Sequence, residues 1–237
     1  MTNKNKMTNN SNEISLRTAA LTAGLAILAM AILAPISELY IYPKLVIWGN
    51  IAETVKNIMA NETLFRECIF CYLMTFLCDI LAAWALYVLL KPVNENLSLL
   101  TGWFRLVYAV ISLVAVINLV TVLKLLNDAD LVKTMQPDQL NTQVNISLHA
   151  FKDGWYFGIL FFGIHLGFLG YLVLRSTYIP KILGILLILA GLGYTINAIK
   201  PFLFPDINVD FAKYTFYGEL IFMLWLIIRG PRIQESN

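Results

Sequence analysis

His149 and Asp153 form the sharpest chemical pair in the chain. Four residues apart on a helix, they share one face, about 40° apart around the axis, with Tyr156 nearly in line with His149. A histidine–carboxylate pair can ligate a metal, orient an acid–base imidazole or relay protons. It can equally be a hydrogen-bonded pair at a lipid–water interface, which is the plainer reading. One such pair is not a metal site, because zinc needs further ligands; Glu38, Glu67 and Glu219 are the candidates. His149, Asp153 and Glu219 are therefore the catalytic candidates, and His149 and Asp153 the metal candidates. No cofactor can be specified.

Other ionisable groups sit where charge is expensive. Asp79 and Arg105 fall on consecutive hydrophobic segments that must run antiparallel, and each alone would be costly in lipid. A structural ion pair between them is the favoured reading; the alternative is that Arg105 snorkels from its helix end. Arg66 beside Glu67 reads as interfacial anchoring or as a contact for an anionic head group. His165 lies sixteen residues after His149 and so points to the opposite side of an ideal helix. It is expected to hydrogen-bond a neighbouring helix rather than join His149. Cys68 and Cys71 make a C-x-x-C, with Cys78 a further turn or two on. That motif suggests redox or metal chemistry, but cysteine is also a common small apolar residue of buried helices.

The elements that must position these groups are hydrophobic stretches at 19–39, 70–90, 106–126, 155–174, 182–199 and 211–228. About 20 apolar residues cross roughly 30 Å of hydrocarbon, so the chain reads as an all-α polytopic membrane protein, a six-transmembrane-helix bundle. Hydrophobic residues make up 59% of 237, charged residues only 14%. A soluble domain carries about 25% charged residues, so this chain lacks the surface charge of one. A net charge of +2 and the lack of a dense basic run argue against nucleic acid. Residues 1–15 read as a disordered polar tail, 16–230 as a single six-helix domain and 231–237 as a short polar C-terminal tail. The first apolar run is too long for a signal core and lacks a small-x-small cleavage site, so it is expected to be retained.

Six spans put both termini on one side. Lys4, Lys6, Arg17, Lys91, Arg175, Lys181, Arg229 and Arg232 share that side; Lys44, Lys56, Arg66, Lys124, Lys133, Lys200 and Lys213 share the other. The first set presses closer to span ends, which places both termini in the cytoplasm of a cell-membrane protein. The outer connections are longer. Ile51, Val55, Ile58 and Met59 in 42–61 suggest a short amphipathic helix, either in the interface or packed on the bundle. Pro137 is expected to start a helix. Gly154 and Gly158, then Gly163 and Gly167, have the spacing of close helix contacts in lipid and make the fourth span the central one. Trp48, Trp103, Trp155, Tyr178 and Tyr214 fall near span ends, as interfacial belts do.

Counting along the spans places most polar residues in the half away from the termini. Glu38 closes span one, Arg66 and Glu67 open span two, Asn118 and Lys124 lie late in span three, and Asn197 and Lys200 close span five. Asp79 lies near mid-span, and Glu219 roughly 12 Å into span six. Glu38, Arg66, Glu67, Asp79, Asn118, Tyr156, Asn197, Lys200 and Glu219 are thus candidates to line a polar cavity.

No phosphate-binding glycine loop, H-E-x-x-H or G-x-S-x-G is present, and no inverted repeat is apparent. The stretches ANETLFRE (60–67), LCDILAAWALYVLLKPVNENLSLL (77–100), WFRLVYA (103–109), HAFKDGWYFGILFFGIHLGFLGYLVLRSTYIPKILGILL (149–187) and GELIFMLWLIIRG (218–230) resemble the membrane family known as domain of unknown function 4386. The resemblance implies a multi-pass prokaryotic membrane protein and brings no activity, substrate or cofactor with it. Binding or transport of a small polar or amphiphilic ligand is the leading expectation. The alternatives are a membrane-embedded enzyme, metal-dependent or not, using His149 and Asp153, and a structural or regulatory membrane protein. The partners on this reading are the lipid bilayer and a small-molecule or lipid ligand, with an oligomer compatible.

Overall fold

The computed structural model describes residues 14–128, 134–207, 209 and 215–233. Lys4, Lys6, Lys133, Lys213, Tyr214, most of the N-terminal tail, residues 234–237 and the first residues of the expected sixth span lie outside them. The described residues form helices and their connections, with no strand among them. A backbone in hydrocarbon must satisfy its own N–H and C=O groups, and helices do so segment by segment.

Helix α1 (Leu16–Pro35) starts at Ser15, whose hydroxyl accepts the Thr18 amide at 3.1 Å. At Pro35 the ladder loosens into a π-helical turn, Ile36–Ile41, before the short α2 (Tyr42–Leu45). Proline brings no N–H to that turn, and the Ser37 hydroxyl lies within reach of the carbonyls of Leu33 (3.1 Å) and Ala34 (3.0 Å), which accept its one proton. Gly49, at φ +85°, turns the chain into α3 (Ile51–Ala60), which Asn50 caps through the Glu53 amide. Thr54 and Ile58 are its buried residues, whereas Met59 is exposed, so the helix lies over the bundle on one narrow face.

Four long helices follow: α4 (Glu62–Leu90), α5 (Glu95–Asn127), α6 (Pro137–Arg175) and α7 (Lys181–Leu203). Asn94 caps α5 through the Leu97 amide at 2.9 Å. Gln136 and Gln139 exchange capping bonds at the start of α6, with Pro137 at the first position. Both helices extend well beyond their hydrophobic stretches. The last long element is α8 (Tyr217–Ile228), followed by a 3₁₀ turn, Gly230–Arg232.

Among the described residues, five helices are long and apolar enough to cross a membrane: Leu16–Leu45, Glu62–Leu90, Glu95–Asn127, Pro137–Arg175 and Lys181–Leu203. The sixth, α8, has 12 described residues, about 18 Å at 1.5 Å each, and falls short of the expected full span. Large apolar side chains such as Leu25, Leu39, Phe70, Val114, Ile117, Leu189 and Leu224 point outward, while Ser112, Asp79, Arg105 and His165 are buried. That inversion suits a lipid surround rather than water.

Helix α6 lies between α5 and α7, and close backbone approach holds it on both sides. A Cβ at Gly154 would sit 2.8 Å from that of Ala115 on α5. Further along, one at Gly191 would meet the Gly163 carbonyl at 2.6 Å, and one at Gly184 the Gly170 carbonyl at 2.7 Å. Gly167, by contrast, has nothing within 4 Å of that position. In the connection between α6 and α7, the Tyr178 hydroxyl donates to the Leu89 carbonyl at 2.5 Å, tying this end of α4 down. Burial pushes that phenol up to about 12, so it stays a donor across the ordinary pH range.

Candidate functional site

Arg105 is the centre of the polar interior. With Asn94 as the cap of α5, Arg105 stands about 15 Å along its helix, and it turns inward to Asp79 rather than snorkelling outward. Its side chain is 1% exposed. The guanidinium donates from Nε to Asp79 Oδ1 at 2.9 Å, and a second nitrogen reaches the same oxygen at 2.8 Å. It touches the Met30 sulfur at 3.7 Å and Glu219 Oε1 at 3.6 Å. Its other terminal nitrogen donates to His165 Nε2 at 3.3 Å.

His165 Nδ1 lies 2.8 Å from the Thr101 carbonyl. A carbonyl can only accept and a guanidinium can only donate, so the imidazole carries its hydrogen on Nδ1 and accepts at Nε2. Phe162, one turn before His165, stacks on that ring at 5.8 Å and lies 5.2 Å from the Arg105 guanidinium. Groups from α1, α4, α5, α6 and α8 thus converge on one charge, well inside the bundle.

Beside this network is a cavity of about 300 Å³. Thr75, Asp79, Arg105 and Glu219 give its polar side; Tyr108, Trp155, Phe162 and Tyr194 give an aromatic wall. The remaining boundary is the seam between α1 and α8, through Ala31, Ala34 and Pro35 on one side and Phe216 and Leu220 on the other. Nearer the termini the same seam is tight: a Cβ at Gly24 would meet Ile227 at 2.8 Å, and one at Gly230 would meet Ala20 at 2.7 Å. The two helices therefore part as they approach Pro35, where the cavity lies.

The sequence candidates distribute unevenly around this site. Asp79, Arg105 and Glu219 converge, and His165 joins them across the α5–α6 contact. Glu38, in the π-helical turn, accepts a hydrogen bond from the Tyr72 hydroxyl instead. Cys68 is buried nearby with its thiol 3.8 Å from the Ser37 carbonyl, and all three cysteines are free. Arg66 pairs along its own helix with Glu62 at 2.7 Å and is exposed, as are Glu67 and Asn197. Asn118 donates to the Ala115 carbonyl at 3.1 Å. Tyr156 packs its ring edge on Phe202, and Lys200 is half-buried at the end of α7.

His149 and Asp153 are both exposed. His149 Nδ1 bonds the Asn145 carbonyl at 2.9 Å, and its ring meets Trp48 edge-on at 5.1 Å. Lys152 sits over the same Trp48 at 4.4 Å. Among the described residues no group of three or more His, Cys, Asp or Glu side chains gathers as a metal site would require.

Met30, Thr75, Tyr108, Phe162 and Tyr194 escaped the sequence reading, and Trp155 was read only as an interfacial aromatic. Thr75, Tyr108 and Phe162 stand three or four positions from Asp79, Arg105 and His165, on the same helix faces. That periodicity was the available signal.

The fold and this interior define an integral membrane protein of packed apolar helices around a buried charged network. The description "Domain of unknown function (DUF4386)" matches residues 22–230, and the chain belongs to that family. The matched region contains every residue of the Arg105 network. A relative in Archaeoglobus fulgidus, described as an uncharacterized protein, is 38% identical over 157 residues, 66% of this chain and 80% of the relative. No solved structure matches.

Proposed function

We propose that this protein binds a small amphiphilic molecule within the bilayer, its polar end at the Arg105 network and its apolar part in the parting between α1 and α8. The observation that carries this reading is the roughly 300 Å³ cavity lined by both charged groups and aromatic rings. Small-molecule sites commonly combine an apolar lining with a few convergent polar groups. The tight seam at Gly24 and Gly230 closes the cavity toward the termini, which favours binding over passage through the bundle. The bundle is read as six crossings in the cell membrane with both termini cytoplasmic. An enzyme built on His149 and Asp153 has less support, since both are exposed and His149 is engaged by its own helix.

The test is thermal unfolding of the protein in nanodiscs, against single-chain amphiphiles of equal tail length and cationic, anionic, zwitterionic or neutral head group. A ligand at a hundred times its Kd stabilises by about 2.7 kcal/mol, so at least one class should raise Tm saturably. Ala31→Phe, which places a ring in the cavity, should remove that rise. No saturable rise with any class overturns the proposal.

A further inference from the structure

We infer that the cavity selects a ligand carrying a positively charged nitrogen. This rests on the binding reading above and adds the chemical class of the ligand. Two carboxylates, Asp79 and Glu219, face one guanidinium, and His165 spends its Nε2 as an acceptor for Arg105, adding no positive charge. With both carboxylates ionised the network carries one negative charge in excess. An uncompensated carboxylate away from water takes up a proton unless a cation holds it ionised, so a cationic ligand is favoured over an anionic one at this network.

The hydrogen-bonding inventory points the same way. Arg105 is engaged by Asp79 through two nitrogens, by His165 through another and by the Met30 sulfur, which leaves a poor seat for an anion. Among the described residues the Glu219 carboxylate meets one charged partner, Arg105 at 3.6 Å, and it lines the cavity. Its carboxylate is the acceptor with capacity to spare. Tyr108, Trp155 and Tyr194 line the same cavity, and aromatic rings attract an ammonium group. A carboxylate and aromatic rings lining one cavity make a seat for an alkylammonium head group. The parting between α1 and α8 then takes its chain.

The same nanodisc titration decides this, using matched alkyl ammonium, alkyl sulfate and neutral alkyl glycoside probes. The ammonium probe is expected to bind at least tenfold more tightly than the other two. Glu219→Gln should weaken ammonium binding at least tenfold, and by far more than it changes the weak glycoside binding. Glu219→Asp keeps the charge and should restore most of the affinity, which separates charge recognition from misfolding. Trp155→Leu should weaken the ammonium probe more than the glycoside. A sulfate or glycoside preference that Ala31→Phe still removes overturns the inference and leaves the binding reading standing. So does an ammonium affinity that Glu219→Gln does not change. Loss of all three probes overturns both.

Discussion

With the Asp79 carboxylate removed, Arg105 would be left buried with an imidazole, a thioether and one distant carboxylate as its neighbours. Breaking one side of a buried pair costs about 3–5 kcal/mol, chiefly through the stranded charge, whereas replacing both sides with apolar groups of similar volume is often close to neutral. Asp79→Asn and Arg105→Met should each lower stability by that amount. The double variant should recover most of the loss, as read by denaturant titration in mixed micelles. Full additivity of the two losses would show that the groups do not act as a pair. Asp79 and Arg105 could be matched from the sequence because consecutive antiparallel spans bring them level. Glu219 could not be placed with them, because hydropathy starts the last span at residue 211 while the described helix starts at Tyr217. His165 was separable from His149 by helical angle alone. Its bond to Arg105 depends on the register of α5 against α6, which no local pattern encodes.

Register between the long helices is set where backbones meet, and the contact of α6 with α7 shows how sharply. The facing glycines at 170 and 184 leave no space for a methyl group, whereas position 167 opens onto a groove. Gly184→Ala should therefore destabilise by about 1–3 kcal/mol, the usual cost of overpacking. Gly167→Ala adds a better helix former without a clash and should change stability by less than about 0.5 kcal/mol. Equal effects in the same unfolding assay would mean that the α6–α7 contact is looser than drawn. The spacing of Gly154, Gly158, Gly163 and Gly167 marked α6 as a helix of close backbone contacts, but not as a central one: α1, α4, α5, α6, α7 and α8 meet in a ring, and the spacing could not say which glycine faces which neighbour. Gly154 turns to α5, and Gly163 to α7. Helix lengths were less legible than helix positions. Hydropathy measures the lipid-facing stretch, while capping by Asn94 and by Gln136 with Gln139 sets where hydrogen bonding begins.

The number of crossings is a property of the whole bundle, and α8 decides it. Twelve residues, about 18 Å, are too few to cross 30 Å of hydrocarbon unaided. Yet α8 lies along α1 over most of that helix. Its start lines the cavity with Ala31, Ala34 and Pro35; its far end packs Ile227 on Gly24 and Gly230 on Ala20. Beyond it, Arg17 donates to the Ile233 carbonyl at 2.8 Å. The chain thus leaves α8 at the level where α1 begins, which is the arrangement that the proposed sixth crossing requires. Charge alone could not establish this, because the basic residues divide almost evenly between the two sides of the six-span topology. Single cysteines at Ser15, Arg232 and Lys56 give the measurement, read in intact cells with a membrane-impermeant maleimide. Cys68, Cys71 and Cys78 lie within α4 and outside its reach. Lys56→Cys should label from outside, while Ser15→Cys and Arg232→Cys should label only after lysis. If Arg232→Cys labelled together with Lys56→Cys, α8 would end on the opposite face, and its contacts with Ala20 and Arg17 could not form.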